Sequence, residues 1–117
     1  MTEVELTENT LIVKIKGLDQ LWAFRRRFEI PLTHIVSAEV DPPDIHDRWH
    51  GIRKYVGAYI PGVITAGTFY NNGNLFFWNV HNRHKVIGIT LNNEKYAKLI
   101  IEVNNPASTV AMIQQAI

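Results

Sequence analysis

His46 and His50 stand four residues apart, a separation that puts two imidazoles on one face of a helix, and Asp44 or Asp47 would add a carboxylate oxygen. Such a set would bind a divalent metal. Pro42 and Pro43 mark a loop entrance just before it, however, and spacing fixes no third ligand, so solvated polar residues are the stronger reading. The same stretch carries a second kind of chemistry. Trp49, His50, Arg53, Tyr55 and Tyr59 combine large amphipathic rings with a guanidinium fork, residue types enriched where proteins recognise their partners. Two readings stay open for them: a recognition surface, or a lid in which Trp49 and Tyr59 fold back over an open core.

Other reactive arrangements find less support. Glu29, Glu39, Asp41 and Asp44 are the carboxylates to consider for acid/base work, but no spacing pairs them. Neither Ser37 nor Ser108 lies in a Gly-x-Ser-x-Gly elbow, which argues against a serine hydrolase. Glycines 51, 57, 62 and 67 match neither a phosphate loop nor a dinucleotide fingerprint. Arg25, Arg26 and Arg27 adjoin Trp22 and Phe24, a mixture able to stack bases, yet on a strand only Arg25 and Arg27 share a face. His81 and His84 fall in a turn whose composition accounts for them, and His34, by its parity with Val36 and Ala38, reads as a satisfied histidine of the barrel wall.

These side chains need a scaffold, and period-two alternation supplies one. Glu3–Leu6 and Leu11–Lys16 read as strands joined by Glu8, Asn9 and Thr10. Leu18–Phe24 suits a short helical turn, Phe28–Ile30 a strand ending at Pro31, and Ile35–Val40 another that the Asp41-Pro42-Pro43-Asp44 cluster stops. Residues Pro42–Gly62 read as one long loop, with a helical turn around Ile45–Trp49. Val63–Tyr70 and Leu75–Val80 flank Asn71-Asn72-Gly73-Asn74, where Asn-Gly supplies the positive φ angles of a tight hairpin. Along the second of these strands, Phe76 and Trp78 point one way and Phe77 the other; with Phe69 and Tyr70 they read mostly as core, an exposed aromatic face being the alternative. Lys85–Leu91 and a strand through Leu99, Ile101 and Val103 follow. Asn105 then caps a helix opened by Pro106, with Val110, Ile113 and Ile117 as its buried stripe.

Composition sets the outer limits. The 117 residues are 46% hydrophobic and 20% charged, enough to build one globular core and too apolar for a disordered chain. A formal net charge of +1 lacks the basic excess of nucleic-acid binders. Without cysteine there are no disulfides or thiolate ligands, which fits a cytoplasmic protein, and the alternating acidic start lacks the apolar stretch of a signal peptide.

The segment Phe28-Glu-Ile-Pro-Leu-Thr-His-Ile, the strand pair around Gly67-Thr-Phe-Tyr and Phe77-Trp78, and the ending Ile89-Thr-Leu, Tyr96, Ile101-Glu-Val and Asn105-Pro106 resemble small bacterial pleckstrin-homology-like domains over nearly the whole chain. The resemblance implies a mainly β fold: a bent antiparallel barrel of about seven strands capped by a C-terminal α-helix. Relatives that bind phosphoinositide headgroups use a lysine followed by an Arg-x-Arg, which Lys14, Arg25 and Arg27 resemble in order. The expectation is therefore a single domain over residues 1–117 that binds a protein or small molecule rather than catalysing a reaction, and calls for no cofactor. The alternatives are a small-ligand or metal-dependent enzyme using residues 42–62 with His46 and His50, and an anionic-headgroup binder. Met112 and Ala116 beside the helix stripe add a homodimer as a secondary expectation.

Overall fold

Two β-sheets and one C-terminal helix make up the part of the chain that the computed structural model describes: residues 2–15, 27–42, 53–60, 64–71, 73–82 and 84–117, with the backbone alone for 53–60, 64–66 and 71. Nine strands occur among these residues: β1 (Thr2–Leu6), β2 (Thr10–Ile15), β3 (Arg27–Pro31), β4 (Ile35–Val40), β5 (Arg53–Ile60), β6 (Ile64–Asn71), β7 (Asn74–Val80), β8 (Val86–Leu91) and β9 (Lys98–Glu102). The helix, α1, spans Pro106–Ala116. The expected helical turns at Leu18–Phe24 and Ile45–Trp49 lie outside the described residues.

The first sheet has the order β1-β2-β3, antiparallel throughout. It alternates except at Ile12, which is buried on the face that carries the charges. Leu11, Val13 and Ile15 are buried on one face with Phe28 and Ile30, while Glu3, Glu5, Lys14, Arg27 and Glu29 take the opposite parity. The second sheet runs β4-β8-β9-β7-β6-β5. Phe77, Ile87, Ile89, Leu99 and Ile101 on one of its faces join the buried face of the first sheet in a single core, to which α1 adds Val110 and Ile113. Each such aliphatic side chain contributes about 1.5–3 kcal/mol on burial.

Both faces of the second sheet's centre are buried. Phe69, Trp78, Val80, Val86 and Ile100 form a second cluster on the face away from α1, with Phe76 packed against it. The core reading of these aromatics therefore holds, and the alternative of an exposed aromatic face does not: Trp78 is 7% exposed. Strands buried on two sides read as near-continuous apolar runs, and Leu75-Phe76-Phe77-Trp78 and Leu99-Ile100-Ile101 are such runs.

Three departures from the sequence expectation have physical causes. Among the described residues the hydrogen-bonded ladders form two sheets and not one closed ring, and they include a parallel pair, β7 with β9. β9 folds back antiparallel on β8 and enters the space beside β7, so β7 and β8, consecutive in the chain, are not neighbours in the sheet. Second, much of the expected loop is the eight-residue strand β5, whose Tyr-Val-Gly-Ala-Tyr-Ile run follows β propensity despite Gly57 and Pro61. Third, Asn105 occupies the cap position of α1 without a side-chain capping bond, and its carbonyl instead accepts from the Thr109 N–H and the Ser108 hydroxyl. Ile117 lies beyond the helix and is 47% exposed, leaving Val110 and Ile113 as the buried stripe.

Glycine shapes the far side of the second sheet. Gly67 of β6 has φ 126°, a conformation open essentially to glycine alone, and it pairs with Gly57 on one side and Trp78 on the other. The row thus sets two residues without side chains beside the indole.

Candidate functional site

The recognition residues expected from sequence divide into two groups. Trp49 and His50 lie outside the described residues, as do His46 and Arg25. Arg53, Tyr55 and Tyr59 lie on β5, the outermost strand of the six-stranded sheet. Arg53 is in register with Tyr70 and Tyr59 with Thr65, and Tyr55 falls where the β5–β6 register shifts between Lys54 and Val56. Tyr70 itself is 41% exposed. A register shift of this kind re-aims the chain locally and increases its twist.

For the headgroup reading, Lys14 and Arg27 are direct cross-strand partners on the outer face of the first sheet. Each also meets a carboxylate: Lys14 Nζ lies 3.1 Å from Glu5 Oε1, and Arg27 Nη2 lies 3.5 Å from Glu29 Oε1. The face is an interleaved set of opposite charges, an arrangement that limits pairing with other chains. Among the described residues no group of three His, Asp or Glu side chains is placed to hold a metal ion. No helix among them is long and apolar enough to cross a membrane.

Several polar side chains have structural partners that spacing did not disclose. Glu102, 5% exposed, ends β9, and its Oε1 accepts the backbone N–H of His81 at 2.7 Å and of Asn82 at 3.0 Å. The carboxylate thus takes up two donors of the turn that steps from β7 across β9 to β8. The visible signal was a lone charge closing an apolar run, Ile100-Ile101-Glu102-Val103. On the other side of the same residue, the Thr2 hydroxyl donates to the Glu102 carbonyl, tying β1 to the second sheet.

His34 does not line a core. It belongs to a single 3-10 turn, Leu32–His34, before β4, and its Nδ1–H donates to Glu94 Oε2 at 2.5 Å with both side chains about 30% exposed. Parity with Val36 and Ala38 misplaced it because the β4 register shifts between Ile35 and Ser37, leaving Val36 53% exposed. Glu39 pairs with Lys98 at 3.0 Å, the lysine lying over Gly88, where a Cβ would stand 2.9 Å from Lys98 Cε. Thr68 and Tyr96 share a buried hydroxyl–hydroxyl bond of 2.8 Å, beside the edge-to-face rings of Phe28, Phe77 and Tyr96.

Compared with family models, curated proteins and solved structures, the chain matches none.

Proposed function

We propose that this chain is a non-catalytic binding module on a pleckstrin-homology-like scaffold, and that its recognition segment runs from Trp49 to Tyr59 and takes an extended peptide of a partner protein. The observation carrying this reading is the place of β5. As the outermost strand of its sheet among the described residues, it sets main-chain donors and acceptors beside Arg53, Tyr55 and Tyr59. An outer strand is a template for an added strand: main-chain bonds give the affinity, and flanking side chains give the selectivity. The scaffold reading draws support from the mainly antiparallel ladders and a C-terminal helix that sends Val110 and Ile113 into the core.

The test is selection of random displayed peptides on the purified chain, followed by titration of the enriched peptides against Arg53→Ala, Tyr59→Ala and Trp49→Ala variants. The expected result is at least about a tenfold loss of affinity for one or more variants with thermal stability retained. Peptide binding indifferent to all three substitutions, or a large loss of stability from Trp49→Ala with capture intact, would overturn it.

A further inference from the structure

The β6–β7 hairpin contains the chain's sole Asn-Gly step, Asn72-Gly73. The last paired residues of this ladder are Asn71 and Asn74, so the Gly73 nitrogen lies outside the strand pairing. Gly73 is exposed with φ 83°, and nothing stands within 4 Å of where its Cβ would be. We propose that Asn72-Gly73 is a site of spontaneous deamidation in the folded protein.

The chemistry needs only water. The Gly73 backbone nitrogen attacks the Asn72 side-chain amide carbon, a C–N bond forms, and ammonia leaves with the nitrogen of the side-chain amide, closing a five-membered succinimide. Water then opens the ring at either carbonyl. One opening gives aspartate; the other gives isoaspartate, in which the main chain runs through the former side chain. Elsewhere in the sequence a side chain on the following residue hinders ring closure, as at Asn9-Thr10, Asn79-Val80 and Asn82-Arg83. At Gly73 there is none.

The products differ in consequence. Aspartate adds one negative charge and takes the formal net charge from +1 to zero at pH 7, the condition that favours self-association. Isoaspartate also lengthens the main chain by one carbon in a loop of two residues, where loop length fixes the register of both strands.

Purified full-length protein would be incubated at mildly alkaline pH, folded and in denaturant, and digested for peptide mass mapping with isoaspartate detection. The expected outcome is a gain of about 1 Da confined to the peptide holding Asn72, at a native rate within about tenfold of the unfolded rate, because the exposed Gly73 lies outside the strand pairing. Asn72→Gln should stop it, since the longer side chain closes its ring far more slowly. A native rate more than about tenfold below the unfolded one, or faster conversion at any other asparagine, would overturn the proposal.

Discussion

Two turns of the six-stranded sheet do related jobs by different means. The turn after β7 must span the position that β9 occupies, and it is organised from beneath by the carboxylate of Glu102, which accepts two backbone N–H groups. The turn between β8 and β9 joins adjacent strands and is held at the surface, through Asn93 at φ 56°, the His34–Glu94 pair and the Asn92 N–H donating to the His34 carbonyl. Tyr96 at its base enters the core and bonds Thr68. A crossing turn whose backbone donors point inward over a neighbouring strand is served by a buried acceptor on that strand. A hairpin turn can leave its polar groups to water and to weakly coupled side chains.

Substitutions should separate these two strategies. Glu102→Ala removes the carboxylate that accepts two part-buried backbone donors, and equilibrium unfolding in urea should show a loss of about 2–4 kcal/mol. Equal stability of this variant and the parent would mean that the crossing turn does not depend on its carboxylate. Gly67→Ala, which places a Cβ at φ 126°, should cost about 1–3 kcal/mol by the same measurement. Tyr96→Phe keeps the ring contacts and loses only the hydroxyl bond to Thr68, so a decrease of about 1 kcal/mol is expected. Glu94→Ala, at a pair about 30% exposed, should lower stability by less than about 1 kcal/mol. Should Glu94→Ala cost as much as Glu102→Ala, the contrast between the turns would collapse. Smallest of all, Lys14→Ala on the outer face of the first sheet should leave stability within about 0.5 kcal/mol, because the Lys14–Glu5 pair is exposed.

Local chemistry made most of the elements legible. Asn72-Gly73 announced the β6–β7 hairpin, Pro106 the start of α1, and the Glu/Val alternation the first strand, because each depends on residues close in sequence. Strand order was not legible. Leu99-Ile100-Ile101 is apolar on both parities, which says that β9 is buried on both faces and nothing about which strands flank it. β5 was read as loop because Gly57 and Pro61 are strong local punctuation, whereas ladder pairing with β6 carries the segment through the glycine. For the candidate site, residue types located Arg53, Tyr55 and Tyr59 but could not tell that they lie on an outermost strand. Glu102 escaped notice as a carboxylate with a structural task, since its partners are main-chain groups about twenty positions away in sequence.

The insertion of β9 between β7 and β8 also bears on the order in which the molecule is assembled during synthesis. Hairpins can zip as they emerge, but here two successive strands must wait, held apart, for residues 98–102 to arrive and join them. Until then one edge of each of these apolar strands is left without its partner. A chain cut before Lys98 would therefore keep two open edges prone to aggregation, which residues 98–102 would close.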